Sequence, residues 1–250
     1  MATSGPATLR AFRVSVTAVF TALVAATTTV FSIYIPATRG YFNIGEAMVY
    51  TSGLLFGPVT GAVAGGLGSM ISDLLLQYPQ YAPGTLIIKG AEGAIVGYLA
   101  NRLFKLKRDT NWKIVSVSIA IVAAIMVGSL GITYYSGPSE ASIGFPGAGQ
   151  TSVTIEIPIA LWLVLAALIF VVVASLGFSS EPRFSLLVLA VLAGGAEMVL
   201  GYFLYEMNIL GLGWAALAEV PFNLGQASVG LLVSIPLARA IKRRMPRFEA

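Results

Sequence analysis

GYFNIGEAMVYTSGLLFGPVTGAVAGGLGSMISDLL, residues 40–75, is the stretch on which the reading of this chain turns. It holds two apolar runs separated by a turn, Phe56-Gly57-Pro58. It opens on Asn43 and Glu46 and closes beside Asp73. The second run contains GAVAGGLGSM (61–70), whose small side chains let neighbouring helices approach closely. Apolar, smooth-surfaced helices with a few polar groups kept near one end are the pattern of a membrane bundle that is wet at one face.

Composition supports that reading. The 250 residues are 57% hydrophobic and only 10% charged, with a mean hydropathy of +0.85. Soluble domains carry roughly 25% charged residues. The bilayer is the solvent this composition requires, and one integral membrane domain over residues 1–250 is expected. Histidine and cysteine are absent. That excludes imidazole acid–base chemistry, thiol nucleophiles and disulfides, and it removes the commonest metal ligands. No metal or cofactor is expected, and nothing points to nucleic acid. No G-x-x-x-x-G-K-[ST] phosphate loop occurs, so any ATP would be consumed by a partner.

Hydropathy and breakers predict an all-α integral membrane bundle of about eight segments, at 13–36, 44–56, 59–77, 85–104, 114–135, 156–177, 184–206 and 214–241. The first is too long for a signal core of ~7–15 residues, so it reads as a retained span. The short second and third segments are either two tilted spans or one re-entrant hairpin. Basic residues favour the cytoplasmic side. With both termini cytoplasmic, every Lys and Arg except Arg39 and Lys89 falls on that side.

The polar residues inside these segments gather toward the opposite, outer face. Asp73, Lys89, Glu92, Glu197, Tyr202, Tyr205, Glu206, Glu219, Asn223 and Gln226 all lie within ~20 Å of it at 1.5 Å per residue. A charge in hydrocarbon costs about 2.5–3.5 kcal/mol even on the lenient insertion scale, so such groups pair or face a wet cavity. Lys89 and Glu92, three residues apart on one helix, can neutralise each other. The wider cluster predicts a cavity open to the outside, with Asn43 and Glu46 on its rim. Asn43 and Glu46 also have the spacing of a capping box, with Asn in place of Ser or Thr.

Candidate ligand contacts follow. Tyr41, Phe42, Tyr78 and Tyr81 can stack on a flat heteroaromatic ring. Asn43, Lys89, Glu92, Glu197, Asn223 and Gln226 offer directional hydrogen bonds, and Glu46 and Tyr202 stand beside them. Phe42 and Tyr81 also suit interfacial anchoring. Ala18, Ala22 and Ala26 form a stripe of small residues along the first segment, a surface for close helix approach.

Taken together, the stretches 40–75, YAPGTLIIKGAEGAIVGYL (81–99), GGAEMVLGYFLYE (194–206) and AEVPFNLGQASVGLLVSIPLARAIKR (218–243) resemble the substrate-binding S components of energy-coupling factor (ECF) vitamin transporters. The resemblance implies a six-helix core that is not an enzyme, sits in the cell membrane and captures a water-soluble vitamin or precursor at the outer face. It implies partners: a transmembrane coupling subunit, which meets the Ala18, Ala22, Ala26 stripe, and two ATPase subunits. It implies lids at 37–45 and 78–84. The usual six helices leave two segments over, so residues of about 105–183 are expected to be an insertion, either extra packing or a further lid. Two other readings remain open: a proton-coupled carrier acting alone, with Glu92 or Glu197 titrating, and a membrane enzyme using Glu, Asp and Lys.

Overall fold

The computed structural model describes residues 6–35, 40–103, 112–143, 151–176, 178 and 182–244. Arg39, Lys105, Lys107, Arg108 and Arg247, on which part of the charge reading rests, lie outside them. The described elements are α1 (Pro6–Val30), β1 (Ser32–Ile35), β2 (Gly40–Asn43), α2 (Glu46–Phe56), α3 (Pro58–Leu75), α4 (Ala82–Leu103), α5 (Trp112–Tyr135), β3 (Gly137–Ile143), β4 (Thr151–Ile157), α6 (Ile159–Leu176), α7 (Pro182–Asn208), a 3-10 helix (Gly213–Glu219) and α8 (Val220–Arg244). Among the described residues, four stretches are long and apolar enough to cross a membrane: Arg10–Val30, Ser116–Thr133, Leu186–Asn208 and Gly213–Arg244.

Helix ends follow the local chemistry. Pro58 and Pro182 begin α3 and α7, where their missing N–H is no loss. Gly57, at φ 85°, takes the turn between α2 and α3 in a conformation that a side chain resists. At the far end of α3 the Tyr78 N–H reaches the Asp73 carbonyl at 2.7 Å and the Gln77 N–H reaches that of Leu74 at 3.4 Å. This is a Schellman ending, but its left-handed position is held by Gln77, at φ 67°, instead of glycine.

The chain divides into two compact units, one of residues 1–105 and 187–250, the other of 106–186. In the first, α3 runs between α1 and α4 on its glycines. A methyl group on Gly68 would stand 2.7 Å from the Thr21 carbonyl of α1. One on Gly65 would stand 2.6 Å from the Lys89 carbonyl of α4. Gly61 and Gly93 face each other so closely that neither tolerates a side chain. Ser72 donates to the Ala25 carbonyl at 3.0 Å, adding a polar tie between α3 and α1. Gly230 of α8 lies against the Tyr50 ring of α2, and Gly194 of α7 against Val96 of α4. Backbones thus come within van der Waals reach, the packing that membrane helices use when lipid removes the hydrophobic drive. On α1, Val24 and Thr28 are buried, whereas Ala18, Ala22 and Ala26 are exposed.

In the second unit α5 and α6 pack as an antiparallel pair. Ser116 donates to the Val173 carbonyl near one end, and Gly131 receives the Trp162 ring near the other. β3 and β4 join the helices in an antiparallel ladder from Gly137↔Ile157 to Ile143↔Thr151.

Three local expectations change. The first helix stops at Val30, because β-branched and aromatic residues follow and pair as strands: Ser32 opposite Asn43, Ile35 opposite Gly40. The presumed lid at 37–45 is therefore partly a β-hairpin. The Gly-, Ser- and Pro-rich stretch 136–152, which the segment bounds leave as a loop, supplies Gly137–Ile143 and the start of Thr151–Ile157 to the β3–β4 ladder, with 144–150 outside the described residues. The capping box is not formed. Gly45 is the N-cap of α2 without a side-chain bond, and Glu46 turns inward to Lys89.

Candidate functional site

α1, α3 and α7 finish, and α2, α4 and α8 begin, at one end of the first unit. Here the β1–β2 hairpin and the 3-10 helix join the helix ends around a polar recess. Its walls come from Thr28 of α1, Tyr41 and Asn43 of β2, Asp73 of α3, Lys89 of α4 and Tyr202 of α7, with Glu219, Asn223 and Gln226 completing it. Its cavity volume is about 30 Å³. A water needs roughly 10–15 Å³ by that measure, so the recess is narrow.

Lys89 stands in its floor, 3% exposed. Its ammonium is ion-paired with Glu46 of α2 and, at 3.2 Å, with Glu92 one turn along its own helix. The Tyr202 ring centroid is 5.4 Å away, a further attraction for the cation. Tyr50 donates to the other Glu92 oxygen at 2.8 Å. Three fully desolvated charges are tolerable only because each is paired and hydrogen-bonded.

A second network has a direction. The Gly45 backbone N–H can only donate, and it donates to Asn43 Oδ1 at 2.8 Å. Asn43 Nδ2 then faces Gln226 and donates to its Oε1 at 2.6 Å. Gln226 Nε2 in turn donates to Asn223 Oδ1 at 3.0 Å. One backbone N–H thereby sets the orientation of three side-chain amides. The relay ends on Asn223 Nδ2, a buried donor with no partner among the described residues.

Asp73 supplies the opposite polarity. Its Oδ1 accepts from Tyr41 at 2.7 Å, and its Oδ2 has no hydrogen-bond partner among the described residues although the residue is only 2% exposed. Burial first, then the Asp73 carboxylate, pushes the Tyr41 phenol above its ordinary pKa, so it stays a neutral donor. Tyr78 lies against Tyr41, with ring centroids 4.9 Å apart. Tyr202 donates to Thr85 at 2.9 Å, and Tyr81 is engaged with Glu206.

Of the residues singled out in the sequence, Tyr41, Asn43, Tyr81, Lys89, Tyr202, Asn223 and Gln226 line the recess. Glu46 and Glu92 stand behind it as the counter-charges of Lys89. Glu197 is a neighbour whose charge acts on Lys89, and Phe42 packs toward Gly225 of α8; neither belongs to the lining. Thr28, Ser69 and Thr85 line it and were not singled out. Hydroxyls in apolar helices carry no signal until the facing helix is known.

A buried recess lined by hydrogen-bonding groups thus lies inside a bundle of apolar helices long enough to span a membrane. Residues 9–176 match the family described as "ECF-type riboflavin transporter, S component". The match takes in α1 to α6. The chain is also similar to a Pyrococcus woesei protein described as "Uncharacterized protein in gap 3'region": 38% identity over 124 residues, 49% of this chain and 79% of the relative. The chain belongs to the ECF-type riboflavin transporter S-component family. It is a membrane-embedded, substrate-binding transporter subunit and not an enzyme.

Proposed function

We propose that this chain captures riboflavin, or a flat heterocycle closely related to it, at the outer face of the cell membrane and passes it inward as part of an ATP-driven ECF importer. The observation that carries the reading is the recess itself, with a donor at Asn223 and an acceptor at Asp73 that have no partner among the described residues, beside the tilted ring pair of Tyr41 and Tyr78. Such a site is mostly preformed, with a few convergent polar groups to fix orientation. The family's description names riboflavin, which makes it the first ligand to test.

The recess must widen to admit a ring system. The β1–β2 hairpin is the element to move, because two side-chain hydrogen bonds tie it down: Tyr41 to Asp73 and Asn43 to Gln226. The exposed Ala18, Ala22, Ala26 stripe is the surface offered to the coupling subunit. Every residue lining the recess comes from residues 28–89 or 202–226, so α1–α4, α7 and α8 suffice to build it. Residues of about 105–183 then form an accessory insertion.

Reconstitution tests the reading. In sealed vesicles, riboflavin uptake should require an ECF coupling subunit, its ATPases and ATP. Uptake by this chain alone, driven by a pH gradient, would show a stand-alone carrier instead.

A further inference from the structure

We propose that the recess selects its ligand by charge: it takes an uncharged or cationic molecule that donates a hydrogen bond to Asp73, and it rejects anionic forms of that molecule, phosphate esters included. This deepens the functional reading above and rests on the recess being the ligand site.

Lys89 is the one Lys or Arg among the described lining residues, and it is already spent. Glu46 and Glu92 flank its ammonium, so two carboxylates answer one positive charge. Two further acids, Asp73 and Glu219, face the recess directly. Neutral donors cannot make up the deficit. The Tyr41 hydroxyl donates to Asp73 and that of Tyr202 to Thr85, which leaves Asn223 Nδ2 and the Thr28 hydroxyl as the buried lining donors without a partner among the described residues. An incoming phosphate would lose its hydration and meet one amide N–H, one hydroxyl, no free cation among the described lining residues and an uncommitted carboxylate oxygen. Like charges brought together in a desolvated site cost several kcal/mol. A ligand N–H or O–H, by contrast, satisfies Asp73 Oδ2, while a ligand carbonyl satisfies Asn223. The site therefore matches a neutral molecule that carries both a hydrogen-bond donor and an acceptor.

The test is a pair of titrations on the purified full-length protein, one with riboflavin and one with riboflavin 5′-phosphate, at equal ionic strength. The ester is expected to bind at least about tenfold more weakly. Asp73→Asn keeps an acceptor for Tyr41 but turns the free acceptor into a donor, so the ratio should narrow. Glu92→Gln keeps an acceptor for Tyr50 and frees part of the Lys89 charge, so the ratio should narrow again. If Asp73→Asn does not fold, Glu92→Gln decides. Binding of ester and parent within about threefold in the unmodified protein would overturn the proposal. So would a ratio unmoved in the folded variants. Failure of both compounds to bind would instead remove the functional reading, and this inference with it.

Discussion

Asn43 and Gln226, 183 positions apart in the chain, are joined by a 2.6 Å hydrogen bond from Nδ2 to Oε1. The bond fastens the β1–β2 hairpin to α8 and passes the orientation of one backbone N–H into the recess. Asn43→Asp should reverse the relay: an aspartate still accepts from Gly45 but cannot donate to Gln226. Gln226 would then turn over and leave Asn223 presenting oxygen. Ligand affinity is expected to fall by about 10–100-fold, the cost of one or two mispaired buried groups. Isothermal titration or fluorescence reads the loss.

The ion triad gives a prediction about stability. Removing one partner of a buried pair costs about 3–5 kcal/mol, because it strands the remaining charge. Lys89→Met leaves Glu46 and Glu92 without their cation and should lower the melting temperature sharply in detergent. Adding Glu46→Gln and Glu92→Gln to Lys89→Met should recover much of that loss. A triple variant no more stable than Lys89→Met would refute the electrostatic account.

Glycine packing separates two positions one turn apart on α4. A methyl on Gly93 collides with the Gly61 backbone, whereas one on Gly90 meets its nearest atom at an ordinary 3.5 Å. Gly93→Ala should destabilise by 2 kcal/mol or more, in the range of about 1–3 kcal/mol seen for overpacked cores. Gly90→Ala should be tolerated. Thermal unfolding of the two variants side by side decides this.

Gln77 occupies a left-handed position that costs a side-chain-bearing residue about 1–2 kcal/mol. Gln77→Gly relieves that strain but gives the unfolded chain more freedom, so a net gain of up to about 1 kcal/mol is expected. A lower melting temperature would mean that the Gln77 side chain contributes more than its backbone strain costs.

How much of this was legible in the sequence depended on distance along the chain. The pairing of Lys89 with Glu92 followed from three-residue spacing on one helix. The pairing with Glu46 did not, because it needs α2 and α4 to approach through Gly53, against the Gly93 carbonyl. Asn43 and Glu46 matched a local capping pattern, yet both are used at long range, by Gln226 and Lys89. The gathering of polar groups at one end of the helices was readable from their depth along each segment. The amide relay was not, since its direction comes from a single backbone N–H at Gly45. The hairpin was hidden in the same way: Ser32–Ile35 reads as the end of an apolar helix until its partner strand is known.

On the function proposed above, the transported molecule occupies the recess between Asp73 and Asn223. The most direct measurement is a fluorescence titration of riboflavin against the purified protein, repeated with Asn223→Ala. The account predicts saturable quenching with one ligand per chain, weakened at least about tenfold in the variant, whose melting temperature without ligand stays close to that of the parent. Quenching that never saturates, or an affinity untouched by the loss of the Asn223 amide, would contradict it.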